Sequence, residues 1–286
     1  MKDGQTVAAL IKNAGFALTE AGNENARLEA ELLLAHQLDC SRTRFVTWPE
    51  ESVPASERDA FRRCVDKRCR GVPLAYITGE CEFWSLPLSV SPQVLIPRQD
   101  TETLVEQAVE LPLPDDAGVL DMGTGCGAIA LALASERYGW RITAIDISPA
   151  ALAVARRNGQ DLGRANVRFI ESDGFDSMNG GLWHLIVSNP PYVAVNDEHL
   201  NRGDLRYEPR SALEAGPDGL AVIRRIVSQS PSHLRSAGWL LLEHGYDQAE
   251  DVVSLLGEAG FCGLFSRRDL TGRFRVSGGR WPGGNA

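Results

Sequence analysis

Apolar residues recur at helical spacing from the start of the chain. Val7, Leu10, Ile11, Ala14 and Leu18 mark one stripe, and Ala26 to Leu38 carries a second, centred on Leu28, Leu32 and Ala35. Pro54 opens a third amphipathic stretch that Gly71-Val72-Pro73 closes. No alternating pattern occurs before Glu82, so residues 1–80 read as a small all-helical domain. From Phe83 the period changes. Trp84 to Val90 alternates, Ser91-Pro92-Gln93 signals a turn, and Val94-Leu95-Ile96 is apolar again, which predicts a β-hairpin linker over 81–98. Short apolar runs at 119–121, 142–147, 167–172, 185–189 and 239–243 then alternate with helical stretches near 127–137, 149–162 and 218–236. That alternation predicts an α/β domain over 99–286, built on a doubly wound, mostly parallel sheet. Gly278 to Ala286 reads as a loose, Gly-rich tail.

Composition narrows the function classes. The 286 residues are 43% apolar, enough for a large core, and carry a net charge of −9. That acidity disfavours nucleic acid as a direct substrate. Arg58, Arg62, Arg63, Lys67, Arg68 and Arg70 crowd one predicted helix and read as a solvated face. The longest apolar run, Gly127 to Ala134, is far short of the roughly 18 residues of a membrane helix. The first residues lack the layout of a signal or transit peptide, so a cytoplasmic protein is expected. Six cysteines without a Cys-x-x-Cys pair read as reduced thiols, and five scattered histidines predict no metal site.

The chemistry concentrates in two loops. Asp121-Met122-Gly123-Thr124-Gly125-Cys126-Gly127 follows the first predicted strand of the α/β domain and opens a helix. Its glycines let the backbone turn tightly and approach a ligand. Asp146, at the end of the next strand, is placed to take ribose hydroxyls. The Gly-x-Gly-x-Gly spacing differs from the dinucleotide Gly-x-Gly-x-x-Gly. Asp121 would repel a pyrophosphate and suits an ammonium group. The pattern resembles the first motif of class I S-adenosylmethionine-dependent methyltransferases, which have a Rossmann-like fold.

The second loop is Asn189-Pro190-Pro191-Tyr192, after the buried-looking run Leu185 to Ser188. The Asn189 side-chain oxygen and the Pro190 carbonyl can each accept one N–H of a planar nitrogen. The prolines fix that carbonyl's direction and bring no competing donor. Tyr192 can lie on the acceptor's flat face. This tetrapeptide resembles the fourth motif of amino-group methyltransferases, which act on adenine, cytosine, guanine or glutamine nitrogens.

Over nearly its whole length the chain is similar to the bacterial peptide-chain release factor glutamine methyltransferases. The similarity is carried by Gly71 to Gly79, Phe83-Trp84, Leu95 to Glu102, Arg206-Tyr207-Glu208-Pro209, Glu243-His244-Gly245-Tyr246 and Asp269 to Arg273. It implies transfer of a methyl group from S-adenosylmethionine, with S-adenosylhomocysteine as product, to the side-chain amide of the Gly-Gly-Gln glutamine of a release factor. It also implies that Gly123, Thr124, Gly125, Cys126, Gly127, Asp146, Asp173, Gly174 and Asn189 hold the cofactor with Asp121. Asn189, Pro190, Pro191 and Tyr192 would cradle the glutamine, and the helical domain would dock the protein substrate. A monomer is expected. Gln99 stands where the family usually has Pro, which touches the setting of Arg98 and Glu102. Gly174 stands where some relatives carry Trp beside the adenine, so that contact falls to backbone or shifts to Phe175. The alternatives are an amino-methyltransferase for a ribosomal-protein glutamine or an RNA or DNA amine, a non-catalytic module on the same fold, and a dehydrogenase.

Overall fold

The computed structural model describes residues 5–178, 180–201 and 203–283. They form two compact units, one running to Gly79 with Gly203–Tyr207 added, the other taking the rest from Glu80 onward.

The first unit contains α1 (Val7–Glu20), α2 (Ala26–Leu38), α3 (Thr43–Thr47), α4 (Ala55–Cys69) and α5 (Leu74–Thr78). Thr6 caps α1 by accepting from Ala9 N, and all five residues of the α1 stripe are buried. In α2 the buried face is Ala26, Ala30, Leu33 and Leu34, whereas Leu28 is 40% exposed. The stripe is therefore rotated from the one expected around Leu28. The helix is apolar on several sides, and the small Ala26 and Ala30 admit a closer neighbour than leucines would. The basic helix is α4, and it is not wholly a solvated face. Arg68 is nearly buried, bound through two nitrogens to Glu29 and through a third to Asp204. Both partners lie in the same unit, so this guanidinium ties the segment Gly203–Tyr207 to the helices. Arg70 adds its carbonyl, which accepts from Arg206 and from the Tyr207 hydroxyl.

The second unit opens with a hairpin, β1 (Glu80–Phe83) and β2 (Leu86–Ser89). Its turn is Trp84-Ser85, both at positive φ, where the reading above put the turn at Ser91 to Gln93. Neither residue favours that conformation, so the usual hairpin signal is absent. Tertiary bonds hold the turn instead: Trp84 N donates to Glu102 and Trp84 Nε1 to Glu136.

The main sheet follows, from β3 (Gly118–Met122), β4 (Arg141–Asp146), β5 (Val167–Glu171), β6 (Trp183–Ser188), β7 (Leu234–Glu243), β8 (Cys262–Arg268) and β9 (Phe274–Arg280). Their order is β5-β4-β3-β6-β7-β9-β8, parallel up to β7 and antiparallel at β9 and β8. This is the doubly wound, mostly parallel sheet that the alternation predicts. The helices are α6 (Glu102–Glu110), α7 (Ala128–Glu136), α8 (Pro149–Asp161), α9 (Ala221–Gln229) and α10 (Ala249–Glu258). Leu120, Met122, Ile186, Leu240 and Leu242 pack with Ile223 and Ile226 of α9 and Val252 and Leu256 of α10. The alternate positions Val119, Leu185, Val187 and Leu241 are buried too, as a sheet covered on both faces requires.

The helix expected over 218–236 ends at Gln229; a short 3-10 turn, Ser230–His233, then leads into β7. Pro231 has no N–H to continue the α-helical ladder. The glycines of the supposed loose tail, Gly278 and Gly279, lie inside β9, and only 284–286 fall outside the described residues. A Cβ at Gly278 would stand 2.5 Å from Leu241 Cδ2 and 2.8 Å from the Leu240 carbonyl. Close packing against β7 selects glycine there. Gly278→Ala is accordingly expected to destabilise the chain by about 1–3 kcal/mol, read from the urea midpoint. An unchanged midpoint would refute the packing role.

Candidate active site

Sheet register gathers the two loops. Met122 pairs with Ile145 of β4 on one side and Ser188 of β6 on the other, and Ser188 pairs with Leu242 of β7. The residues that follow these four in the chain, Gly123 and Asn189 just past their strands and Asp146 and Glu243 at the strand ends, therefore come out along one rim. The chain order reverses between β3 and β6, the switch point where doubly wound sheets bind ligands. A cavity of about 480 Å³ opens at this rim, lined among others by Gly123, Gly125, Asp146, Asn189, Pro190 and Pro191. A second hollow of about 470 Å³ lies at the other strand ends, beside Gly118, Arg141, Val167 and Trp183, away from both loops.

The glycine loop is shaped by conformation and by anchors. Gly123, Gly125 and Gly127 all sit at positive φ, which disfavours any other residue. A Cβ at Gly123 or Gly125 would meet nothing within 4 Å, so those two leave open space, whereas one at Gly127 would press on Leu131 and Ala155. Gly123 N and Thr124 N both donate to the Ile145 carbonyl, and Asn158 Nδ2 reaches the carbonyls of Cys126 and Ser89. Asn158 is a buried polar residue in mid-helix that sequence reasoning missed. Only the tertiary partners explain it.

Asp121 is fully buried. One oxygen accepts from the Thr124 hydroxyl at 2.6 Å, while Oδ1 has no partner. Burial lifts its pKa to about 7, against the bond from Thr124 and the backbone N–H of Ala130. Asp146 accepts from Gly125 N and Ser148 N, each at 2.9 Å, and burial raises its pKa as well. Cys126 is a buried thiol pushed up to about 12, so it is inert and enters the loop through its backbone.

Around the cavity's far side, Asp173 and Gly174 follow β5. Gly174 is at positive φ, and a Cβ there would come within 3.3 Å of Arg225 Nη2. Arg225 also lines the cavity and binds Asp173 at 2.6 Å. Phe175 does not replace the missing aromatic. It is buried and stacks on His233 at 4.2 Å. Ile147, which lines the cavity at 61% exposure, was not foreseen either, because nothing in its sequence context separates it from a core residue.

The Asn189 loop is rigidly tied. Val193 N donates to Leu213 O and Ala215 N to Val193 O, while Gln248 Nε2 holds the Tyr192 carbonyl. Asn189 Nδ2 donates to Thr101 Oγ1 at 3.1 Å. Tyr192 lies apart from the cavity lining: it packs on the core, with its hydroxyl donating to Glu243 at 3.3 Å. Among the described residues Asp121, Thr124, Cys126, Gly127 and Tyr192 thus support the wall, and the other predicted site residues form it. Glu243 is fully buried; burial raises its pKa to about 7, against hydrogen bonds from Thr101 and Tyr192 and the nearby Arg275 charge. Burial lowers the pKa of His244, whose Nδ1 lies 2.8 Å from Gly245 O and whose Nε2 lies 2.8 Å from Ser277 Oγ. This side chain anchors β7 to β9.

The Gln99 departure leaves its neighbours engaged. Arg98 pairs with Glu208, Asp100 with Arg275, Thr101 with Asn189, and Glu102 with Trp84 N. Among the described residues no cluster suits a metal ion, and no helix is long and apolar enough to cross a membrane.

Residues 9–79 match the PrmC N-terminal domain, and residues 99–204 match the methyltransferase small domain. A release factor glutamine methyltransferase of Pseudomonas aeruginosa is 49% identical over 96% of this chain and 99% of its own. The chain belongs to the release factor glutamine methyltransferase family. A Shewanella oneidensis member of the family is 44% identical over 99% of both chains. In fold, the chain is similar to a Pyrococcus furiosus methyltransferase, with a TM-score of 0.53 at 18% identity, covering 69% of this chain and 89% of that one.

Two buried carboxyls with raised pKa values make a pH prediction. The fold keeps Asp121 and Glu243 protonated where the unfolded chain has them ionised, so the folded state binds more protons between about pH 4 and pH 7. Stability from these groups is greatest below the unfolded values and falls as pH rises through about 7. Without added ligand, Asp121→Asn should gain on the parent chain in denaturation midpoint from pH 5 to pH 8. A constant difference across that range would mean that Asp121 does not titrate there.

Proposed function

We propose that this protein methylates the side-chain amide nitrogen (N5) of the glutamine in the Gly-Gly-Gln loop of peptide-chain release factors, with S-adenosylmethionine as donor. The observation that carries this reading is the Asn189 amide. It lines the cavity beside the glycine loop and gives one N–H to Thr101, with its oxygen available to accept an incoming N–H.

The residues present fit that cofactor. Asp121 Oδ1 is an orphaned buried acceptor one residue before the cavity wall, suited to a cationic donor. Gly123 and Gly125 leave room at the wall, and Asp146 offers further lone pairs to ribose hydroxyls. Ile147 and Arg225 would flank the base, in place of the tryptophan that some relatives carry at position 174. S-adenosylmethionine supplies an electrophilic methyl group on a sulfonium sulfur.

An amide nitrogen is a poor nucleophile because its lone pair is delocalised. The Asn189 oxygen and the Pro190 carbonyl would each take one of its N–H groups, holding the nitrogen in place and returning electron density to it. Tyr192 would act from behind the wall, stiffening the loop through Glu243 and Gln248 rather than stacking on the substrate. The proposed organisation keeps residues 1–80 as the unit that docks the release factor, 81–98 as linker and 99–286 as the catalytic domain, in a cytoplasmic monomer.

Peptide mass spectrometry on an unmethylated release factor incubated with the protein and S-adenosylmethionine tests the activity. One added methyl on the Gly-Gly-Gln glutamine is expected, lost in Asn189→Ala. No methyl there, with cofactor bound, would redirect attention to ribosomal-protein glutamines and RNA. For the cofactor site, Asp146→Ala should weaken binding of S-adenosylhomocysteine roughly ten-fold or more by calorimetry. An unchanged affinity would remove Asp146 from it.

A further inference from the structure

Two walls of the cavity come from separate parts of the second unit. One is the glycine loop, with Gly123 and Gly125; another is Gln93, Val94 and Leu95, from the segment that follows β2. Something must set where one stands relative to the other. We propose that Asn158 is the positioning residue that ties these two walls together, and that its loss falls on cofactor affinity before it falls on the fold. This rests on the methyltransferase reading above, which puts S-adenosylmethionine in the cavity, and adds what holds the cavity to shape.

Asn158 belongs to a face of α8 that is turned to the site. Ala151, Ala155 and Asn158 recur at i, i+4 and i+7, and all three are buried. Ala151 lines the cavity, and a Cβ on Gly127 would lie 3.4 Å from that of Ala155. One turn further on, the Asn158 amide meets main chain only. Its Oδ1 accepts from Ser89 N at 2.8 Å, and its Nδ2 donates to Ser89 O at 3.0 Å and to Cys126 O at 2.9 Å. One N–H and two carbonyls call for one acceptor and two donors, which a side-chain amide supplies and an ionised carboxylate or an alkyl group does not. Glutamine would bring an extra methylene into a site only 1% exposed.

The bonds land where they matter for the walls. Cys126 follows Gly125 directly, and Ser89, held through both its main-chain groups, stands four residues before Gln93. The N-terminal part of the glycine loop has its own anchors, from Gly123 N and Thr124 N to Ile145 O and from Gly125 N to Asp146. Asn158 supplies the tie from this loop to the hairpin. The core around Leu120, Met122, Ile223 and Val252 does not include it, so the sheet keeps its packing when that tie is cut.

Two variants test this. Asn158→Ala removes all three bonds; Asn158→Asp keeps the shape and the acceptor for Ser89 N but takes away the NH₂. In both, S-adenosylhomocysteine should bind at least ten-fold more weakly by calorimetry, at a temperature where circular dichroism shows the variant folded. In nitrogen-labelled protein without ligand, the Gly123 and Gly125 amides should exchange with solvent at least ten-fold faster than in the parent, and those of β8 and β9 within about two-fold of it. A general loss of stability would instead speed both sets alike. An affinity within two-fold of the parent, or Gly123 and Gly125 amides no more accelerated than those of β8 and β9, would overturn the proposal. Should neither variant fold, the parent protein decides. Its Asn158 NH₂ signal should exchange at least three-fold more slowly once S-adenosylhomocysteine is added, while that of Asn166, bonded to Trp140 O, keeps its rate. An Asn158 signal that does not respond would overturn the proposal as well. If the parent does not bind S-adenosylhomocysteine at all, the cofactor reading falls, and the exchange of Gly123 and Gly125 in the variants still decides whether Asn158 holds the loop.

Discussion

Parallel pairing in register is the constraint from which the site follows. The register that sets Met122 opposite Ile145 and Ser188, and Ser188 opposite Leu242, leaves no freedom in where the next residue of each strand emerges. A one-residue slip would turn Leu120 and Met122 from one buried face to the other and break the packing against α9 and α10. The core that holds the sheet together thus fixes which loops meet. Gly123, Asp146 and Asn189 share a cavity because burial of their neighbours leaves them no other position.

That placement has an energetic cost, carried by carboxyls. Asp121 and Glu243 sit without solvent, each with one oxygen lacking a partner. Desolvation pushes both toward the neutral form, in contrast to Asp269, where bonds from Thr271, Arg273 and Arg275 overcome burial and hold the pKa near about 2. The difference separates two uses of an acid. Asp269 is saturated and closes the turn between β8 and β9. Asp121 and Glu243 are left short of donors, as groups awaiting a ligand or steering a neighbour would be.

Long-range side-chain bonds do the rest of the shaping. Asn158 joins the glycine loop to the hairpin strand β2. The stretch from Arg98 to Glu102 spends Arg98, Asp100, Thr101 and Glu102 on different partners, so one short segment braces the Asn189 loop, β9 and the hairpin turn together. Each of these bonds joins residues at least 18 positions apart in sequence, and removing one would loosen a wall without touching either loop.

Local chemistry decided what the sequence could reveal by itself. A helical stripe at Val7 to Leu18, strand–helix alternation after residue 99, a glycine loop that needs positive φ, and a rigid Asn-Pro-Pro-Tyr turn all depend on residues close in the chain, and they point to the fold and the family. What depends on distant neighbours stayed hidden there. The Trp84-Ser85 turn has no turn residues of its own, the α2 stripe faces Ala26 and Ala30, and Gly278 marks a strand interior where composition suggests a loose end. The same holds at the site: Tyr192 stands behind the wall, and the partner of Asn189 lies 88 positions earlier in the chain. The sequence alone determined which groups the protein has for its chemistry; only the tertiary structure decided which way they point, because orientation is set by hydrogen bonds and packing between residues that the chain brings together only on folding.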